Sequence, residues 1–250
     1  MKKRKKSFPA KPTLLLAAAG VLLLGSTIGS TRAALTYYSE NYSAQMNMSS
    51  IGVTLLENGT AVGHRDYTAD GTWDEAEGTE ALLTNMLGEG EKLVPGKTYT
   101  EKLTVQNSGN IDTFVRLIVT KSWQNDAGKN TELSPELIEL NLTDGSGWVE
   151  DESESTAERV VLYYTNAIAA GELTKAAIDG IRIDNQIADK VTKVVDGNTI
   201  RYVYDYDGYT FNLEAEADAV QTHNAADAIK SAWGVDVSVS ADETSFSLLQ

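Results

Sequence analysis

Two histidines are the residues of this sequence best suited to acid–base or metal chemistry. His64 lies in VGHRDY and His223 in VQTHNAA, more than 150 positions apart. A zinc hydrolase commonly carries His-Glu-x-x-His on one helix, and that motif is absent. Two interpretations therefore stand. The fold either joins the histidines with unspecified carboxylates into a zinc site, or leaves both on the surface or in loops, which the sequence favours.

Two acidic segments could in principle bind calcium. Asp205-Tyr206-Asp207-Gly208 starts like a calcium loop but lacks the further oxygen ligands and the closing glutamate. A hairpin turn explains its Asp-Gly pair without an ion. The acidic run from Glu150 to Glu154 is typical of a solvated loop, with weak calcium binding as the alternative.

Nucleophilic chemistry finds no support in the sequence. The chain has no cysteine, which excludes disulfides, thiolate zinc sites and a cysteine nucleophile. There is no Gly-x-Ser-x-Gly elbow, and no glycine loop that opens a phosphate-binding helix. We therefore expect no catalytic residue, no cofactor and no metal, with zinc or calcium as alternatives. Four tryptophans could line a sugar site but more often pack in a core or at an edge: Trp73, Trp123, Trp148 and Trp233.

The N-terminus has the three parts of a secretory signal peptide. Five basic residues from Lys2 to Lys6 precede an apolar run from Leu14 to Leu24, and small residues follow. The apolar run is too short to span a hydrocarbon core of about 30 Å comfortably. We predict a signal peptide helix over residues 1–33, cleaved near Ala33 or Ala34, and a single β-sandwich domain over residues 34–250.

Acidic residues dominate the chain beyond this predicted cleavage site. Seven of the 21 basic residues and none of the 36 acidic ones lie in residues 1–33. The mature chain then has 14 basic residues and a formal net charge of −22. Such a surface repels phosphate backbones and anionic lipids, so we expect no nucleic acid partner and no membrane binding after cleavage. Self-repulsion favours solubility, and protonation of carboxylates would favour association at low pH.

Short alternating segments predict an all-β sandwich or barrel with small helical insertions. Lys97 to Asn107 and Phe114 to Lys121 alternate with period two, as half-buried strands do. The intervening Asn107–Asn110 predicts either antiparallel pairing or a sandwich corner. Further strands are expected at Ala44–Leu56, before the turn Glu57-Asn58-Gly59, and at Ile138–Leu142, Val160–Tyr164 and Val235–Val239.

Two segments interrupt or extend this pattern. Residues 60–90 read as a variable insertion, in which Asp74 to Leu87 has the spacing of a short helix. From Val191 onward, three β-rich runs separated by Asp-Gly turns indicate a meander. Asn224 and Gly234 then mark the start and the stop of a helix.

Four stretches of the sequence form a recognisable set: the signal with its Ala33-Ala34 junction, IGVTLLENG, LVPGKTYTEKLTVQNSGNIDTFVRL and ADAVQTHNAADAIKSAWG. Together they resemble the TasA/camelysin family of exported Firmicutes proteins. The third is similar to the family pattern Leu-x-Pro-Gly, then Asn-x-Gly, then Val-Arg. The residues that match the pattern are Pro95, Gly96, Asn107, Gly109 and Arg116.

The resemblance implies a jelly-roll-like antiparallel β-sandwich, cleavage by a signal peptidase of the SipW type, and a place on the cell surface or in the matrix of a Gram-positive host. It also implies assembly into biofilm fibres, in which the freed N-terminal segment of one subunit completes the sheet of the next. This polymerisation strand would lie in Leu35–Gln45, with Leu35, Tyr37, Tyr38, Tyr42 and Gln45.

Three functions from different classes follow as hypotheses. The first is a structural protein that associates with itself or with other matrix subunits and has no catalytic residues. The second, suggested by camelysin, is a metal-dependent surface peptidase that uses His64, His223 and nearby carboxylates. The third is an adhesin or binding module with a tryptophan-lined patch.

Overall fold

Two antiparallel sheets face each other across a hydrophobic core. The computed structural model describes residues 49–249 except 69, 77–81, 85, 89, 190, 198 and 205. The first sheet contains β1 (Gly52–Glu57), β2 (Thr60–Tyr67), β3 (Trp73–Ala76), β4 (Thr98–Asn107), β7 (Ile138–Leu142) and β10 (Ile178–Ile183). Its strand order is β3-β2-β1-β4-β10-β7.

The second sheet is built around one long central strand. It contains β5 (Thr113–Asn125), β6 (Gly128–Asn130), β8 (Trp148–Glu150), β9 (Arg159–Ile168) and β13 (Thr210–Gln221). Its order is β13-β5-β9-β8, and β6 pairs with the end of β5. The chain crosses repeatedly between the two sheets, as it does in a jelly roll.

Two small hairpins and one helix complete the described part of the chain. The hairpins pair β11 (Val191–Asp196) with β12 (Thr199–Tyr204), and β14 (Val237–Val239) with β15 (Phe246–Leu248). The helix α1 (Ala225–Trp233) ends at Gly234, whose φ is 81°. Short 3₁₀ helices occupy Pro135–Leu137 and Asn185–Asp189. The prediction of a mainly β antiparallel sandwich with short helical insertions is confirmed.

The larger core lies between the sheets and follows the predicted alternation. On β4, the inward positions from Tyr99 to Asn107 are buried, while Thr98, Thr100 and Lys102 are exposed. On β5, Val115, Leu117 and Val119 face this core. Burial of these apolar side chains is the main favourable contribution to folding, at about 25 cal/mol per Å².

A second core covers the outer face of the second sheet. Phe114 and Ile118 of β5 contact residues of α1 and of the hairpin β14–β15. Ile229 of α1 is fully buried there, and Phe114 packs edge-to-face on Phe246 with ring centroids 5.0 Å apart. β5 is therefore buried on both faces, although its alternating sequence is typical of a strand with one wet face.

The turns show which of the predicted alternatives the chain adopts. Asn58 and Gly59 both have positive φ, 49° and 88°, as a two-residue type I′ hairpin requires. The predicted turn at Glu57-Asn58-Gly59 is confirmed. Asn107–Asn110 connects β4 to β5, which lie in different sheets. It is a sandwich corner and not a hairpin.

Two expectations for the variable regions are wrong. Within the expected insertion at residues 60–90, β2 and β3 extend the first sheet beyond β1. The expected helix over Asp74–Leu87 is absent from its described positions, because residues 74–76 belong to β3 and residues 82–84 form a turn. The meander is also only partial, since β11 pairs with β12 while β13 pairs with β5.

Candidate functional site

The long strand β13 has one unpaired edge. It pairs residue for residue with β5, from Thr210 opposite Gln124 to Gln221 opposite Thr113. Within the described residues, no strand pairs with its other edge. The other edge strands are much shorter: β7 has five residues, β3 four and β8 three. An open edge of this length presents unpaired N–H and C=O groups and is a template for an added strand.

On the inner face of β13, large side chains at the start of the strand give way to a row of small ones. Phe211 and Leu213 contact the larger core and are followed by Ala215, Ala217 and Ala219, which are half-buried. Alanine carries only a methyl group, so the row forms a shallow ledge beside the open edge. Larger side chains of an added strand could pack on this ledge.

The outer face of β13 is acidic, and Arg116 links it to the helix α1. Glu214 and Glu216 are exposed, whereas Asp218 accepts hydrogen bonds from Arg116 of β5. The Arg116 guanidinium also lies over the ring of Trp233, 5.5 Å from its centroid. Burial lowers the pKa of Arg116, but its bonds to Asp218 outweigh this and leave the pKa above its ordinary value.

Asn107 and Gly109 hold the corner between the sheets. The side chain of Asn107 is fully buried, and its Nδ2 donates to the carbonyls of Ile111 and Ile168, both at 2.8 Å. Its Oδ1 accepts from the amide of Gly109 at 3.0 Å. A Cβ at Gly109 would come within 2.5 Å of the Ser50 carbonyl oxygen. Both positions are therefore structural.

Pro95 and Gly96 form the turn that precedes β4. Gly96 has a φ of 79°, and its amide donates to the carbonyl of Ile183 at 2.7 Å. A Cβ there would lie 2.3 Å from Oδ1 of Asn185, so the position requires glycine. All five residues of the family-like pattern thus lie in the described part of the fold, and the contacts given above assign them to turns, a corner and an ion pair.

Two carboxyl groups meet at the buried end of β1. Glu101 of β4 is fully buried and Glu57 is 8% exposed. Oε2 of Glu101 accepts from Nδ2 of Asn58 at 3.2 Å, while Oε1 has no partner among the described residues. Oε1 of Glu57 accepts from the amide of Leu83 at 2.5 Å. Burial, and then the adjacent Glu57 carboxyl, raise the pKa of Glu101 to about 8.

We therefore expect Glu101 to hold a proton at neutral pH, because burial, and then the adjacent Glu57 carboxyl, disfavour its charged form. Two carboxylates in a dry site repel each other, so one of them binds a proton that water would remove at this pH. Sequence reasoning overlooked Glu101, although a glutamate on the apolar side of an alternating strand was the available signal.

An acidic cleft opens where the edges of the two sheets meet. It has a volume of about 470 Å³ and is lined by residues of β7, β8 and the loop that follows β8. Lys121 of β5 lies against it, 8% exposed, and donates to the Ile138 carbonyl at 2.6 Å. Burial lowers the pKa of Lys121, and Glu136, Glu150 and Glu139 partly oppose that shift. The acidic run that was expected to be a solvated loop thus forms part of a cleft wall.

The histidines lie apart in the fold and have separate partners. His64 is on β2, with Nε2 3.8 Å from Asp74, and His223 precedes α1, with Nδ1 3.7 Å from Glu243. No group of three or more metal-ligating side chains occurs among the described residues. The zinc and calcium alternatives therefore gain no ligand set from the described part of the chain.

The four tryptophans form no common surface. Trp123 and Trp233 are 3% and 5% exposed and belong to different cores, whereas Trp73 lies on the edge strand β3. Trp148 packs against Tyr164 with ring centroids 5.2 Å apart and ring planes tilted by 55°. The packing interpretation explains the described tryptophans better than a shared sugar site.

The residues predicted for cleavage and polymerisation lie outside the described part of the chain: Ala33, Ala34, Leu35, Tyr37, Tyr38, Tyr42 and Gln45. Within the described part, no helix has the length and apolar character needed to cross a membrane. Comparison with protein-family models, curated proteins and solved structures finds no match to this chain. Over the described residues, the fold is a β-sandwich in which one long strand, β13, is paired on a single edge.

Proposed function

We propose that this protein is a secreted structural protein of the TasA/camelysin type, which assembles into fibres at the cell surface or in the extracellular matrix. The N-terminal segment of one subunit adds to the open edge of β13 in the next. One observation carries this proposal: the 12-residue strand β13 is paired on a single side within the described residues.

The N-terminal segment has a length and a pattern that suit this edge. Leu35 to Gln45 is 11 residues long, and the sequence continues as Met46-Asn47-Met48. Tyr42, Ala44, Met46 and Met48 alternate with polar residues, which is the period of a strand with one apolar face. The apolar face would lie on the ledge of Ala215, Ala217 and Ala219.

Charge supports an assembly that depends on pH. Glu214 and Glu216 lie exposed on β13, and the chain beyond residue 33 has a formal net charge of −22. Protonation of carboxylates weakens the repulsion between subunits, so association becomes more favourable as pH falls. Export through the predicted signal peptide, with a SipW-type peptidase as partner, places this assembly outside the cell.

No described feature favours the peptidase or the adhesin as a second function. The two histidines have different carboxylate neighbours, and the tryptophans lie in separate environments. Both hypotheses would require a site that the described residues do not assemble.

Electron microscopy combined with sedimentation tests the proposal. Chains that begin at Ala34 and at Met48 are compared between pH 8 and pH 4. We expect fibres from the longer chain, more of them at lower pH, and none from the shorter chain. Met48–Gln250 forms one compact unit with its own cores, so we expect the shorter chain to keep its fold, which circular dichroism checks.

A synthetic peptide of residues 34–48 provides a second readout. It should bind the chain that begins at Met48 and stop elongation of the longer chain. Monomers of the longer chain under every condition, or fibres formed equally well by both chains, would contradict the proposal.

A further inference from the structure

The first sheet extends beyond the second on the side of the open edge. Within the described residues, the first sheet continues past β1 with β2 and β3, whereas the second sheet ends at β13. The strands of the two sheets that approach each other most closely are β1 and β13. The strands of packed sheets run within about 30° of each other, so β2 lies opposite the position beside β13. A strand added to β13 would therefore face β2 and β3.

The core-side face of β2 and β3 carries an arginine stacked on an aromatic pair. Directly opposite residues of antiparallel strands share a face, and Arg65 stands opposite the buried Val53. Tyr67 and Trp73 form a cross-strand pair, and their rings meet edge-to-face with centroids 5.1 Å apart. Cζ of Arg65 lies 4.8 Å from the centroid of the Trp73 ring. Arg65 is exposed and Trp73 is 48% exposed. We call Arg65, Tyr67 and Trp73 the β2–β3 platform.

The N-terminal segment has a side-chain pattern that complements this platform. Glu40 is the only charged side chain in residues 34–48, and Tyr38 and Tyr42 flank it two positions away on either side. In an extended strand these three side chains share the face of Ala44, which the proposed function places on the ledge. A carboxylate on that face loses its hydration when the strand docks, and this loss is costly unless a cation meets the carboxylate.

We propose that Arg65 of the β2–β3 platform binds Glu40 of a second copy and thereby fixes the register of the added strand. Tyr38 and Tyr42 of that strand would pack beside Trp73, on the same face as the ion pair. A slip of the added strand by two residues would separate the two charges, so the pair selects one register among those that keep the same face inward. This inference deepens the proposed function and rests on it, because it concerns the same added strand.

The guanidinium of Arg65 can hold this carboxylate together with the contacts that it already makes. It stacks by one face on Trp73, and a stacked guanidinium still donates in its own plane through five N–H groups. Glu75 stands opposite Arg65 in the strand register, but one carboxylate cannot accept from all five N–H groups. A second carboxylate can therefore join.

Exchange of the two charges tests the contact. A synthetic peptide of residues 34–48 is titrated into the chain that begins at Met48, which lacks this segment. The variants are Arg65→Glu in the chain and Glu40→Arg in the peptide, and calorimetry measures all four combinations. The measurements are made at pH 6, at which a glutamate with an ordinary pKa is ionised.

We expect each variant alone to weaken binding of its parent partner by at least about tenfold, because two like charges then meet. The variant peptide and the variant chain together should bind to within about threefold of the parent pair, since the exchanged charges attract again. A peptide in which Glu40 and Tyr42 change places keeps the composition but moves the carboxylate by two residues. It should bind the parent chain at least about fivefold more weakly, because the shifted charge no longer meets Arg65 in the register of the ledge.

Lys97 provides the matched control. It is also exposed and also lies over an aromatic ring, with Nζ 4.6 Å from the centroid of Tyr99, but it precedes β4 and is not part of the platform. Lys97→Glu makes the same change in net charge as Arg65→Glu and should leave peptide binding unchanged. Circular dichroism checks that both variants keep the fold.

Four results would overturn the inference. They are single variants that bind like the parent, an exchanged pair that does not recover binding, a shifted peptide that binds as tightly as the parent peptide, and a loss in Lys97→Glu equal to that in Arg65→Glu.

The ledge variant Ala215→Leu with Ala219→Leu separates this inference from the proposed function. Peptide binding that is lost in the ledge variant but insensitive to the charge exchange would overturn the Arg65–Glu40 pair and leave strand addition to β13 intact. Binding that follows the charge exchange but is unchanged in the ledge variant would support the pair and contradict addition to β13. A parent chain that binds no peptide at all would overturn both.

Discussion

Arg116 on β5 lies directly opposite Asp218 on β13, and its Nε and Nη2 donate to the same carboxylate oxygen at 3.1 and 2.5 Å. Their side chains are 14% and 20% exposed. We expect Arg116→Ala to lower the free energy of unfolding by about 2 kcal/mol, because it leaves Asp218 without its partner in a mostly dry site. Urea denaturation measures this loss.

The pair Lys129–Glu158 is the matched control, since its side chains are 52% and 35% exposed. Lys129→Ala should cost less than about 1 kcal/mol. A double-mutant cycle on Arg116 and Asp218 isolates the coupling between them. Equal costs for Arg116→Ala and Lys129→Ala would contradict the structural role of the buried pair.

The buried carboxyl pair predicts lower stability at higher pH. The pKa of Glu101 rises from 4.5 to about 8 on folding. The folded protein therefore keeps a proton that the unfolded chain loses, and its stability falls as pH rises from about 4.5 to about 8. Glu101→Gln cannot ionise and should raise the free energy of unfolding at pH 8 by on the order of 3 kcal/mol.

Thermal or urea denaturation at pH 4 and pH 8 measures this difference. The gain from Glu101→Gln should nearly vanish at pH 4, which lies below the pKa of Glu101 in both the folded and the unfolded state of the parent. Glu214→Gln, at an exposed position of β13, is the control and should give no gain at either pH. A gain from Glu101→Gln that is the same at both pH values would refute the assignment of the proton to Glu101.

Replacement of Asn107, whose side-chain amide holds the corner, should be among the most destabilising single substitutions in the described fold. Asn107→Ala removes the donor to two buried or half-buried carbonyls and the acceptor of the Gly109 amide. Each backbone group left without a partner costs about 1 to 3 kcal/mol, so we expect a loss of at least about 3 kcal/mol.

Asn107→Asp should be nearly as costly, because a carboxylate cannot donate to the Ile111 and Ile168 carbonyls. Gln106→Ala, at the half-buried neighbouring position, should cost less than about 1 kcal/mol. Its Nε2 donates to a single exposed carbonyl, that of Gly171. Denaturation curves in which Asn107→Ala resembles Gln106→Ala would rule out this role of the corner.

Larger side chains on the ledge of Ala215, Ala217 and Ala219 should block assembly without unfolding the subunit. Ala215→Leu with Ala219→Leu should fill the half-buried space beside the open edge of β13 and abolish fibres. The melting temperature of the monomer should change by no more than about a few degrees, because Ala215 and Ala219 are only half-buried and a larger side chain there is not forced into a filled core. Glu214→Leu with Glu216→Leu, on the opposite face of the same strand, is the control and should keep the fibres.

Electron microscopy and circular dichroism on the same samples separate the two effects. Fibres that persist in the double leucine variant on the ledge would exclude this edge as the acceptor. If the double leucine variant melts far below the parent, Ala217→Val is measured in its place. This substitution adds less volume and should slow elongation without unfolding the monomer.

Local patterns predicted much of the fold because they report local physics. The strands β4 and β5, the Asn58-Gly59 turn and the stop at Gly234 depend on a few neighbouring residues each, and all four are present. The strands β7 and β9 also lie where they were expected.

Pairing between strands that are distant in the sequence could not be predicted from local patterns. β2 is polar and rich in exposed positions, so its sequence resembles a loop, and it becomes a strand because it pairs with β1 and β3. β13 follows β12 closely but pairs with β5, whose second face also had no visible partner in the sequence. Tertiary context decided these elements.

In the candidate site, too, the sequence predicted what depends on neighbouring residues and missed what depends on contacts between distant ones. The pattern Pro95, Gly96, Asn107, Gly109 and Arg116 was identifiable as a set, but its role in turns, a corner and an ion pair required the contacts. Glu101 was overlooked because a single carboxylate in an alternating strand looks like a polar exception. The acidic cleft unites residues of β5, β7 and β8 that no spacing rule connects.

The burial of β5 on both faces has a mechanical consequence. This strand pairs with β13 over 12 residues and with β9 on its other side, between two cores. A tension applied along β13 by a neighbouring subunit would load all 12 residue pairs together in shear, instead of opening them one after another. β5 would then be the spine that transmits force through each subunit, and its amide hydrogens should be among the last to exchange with solvent.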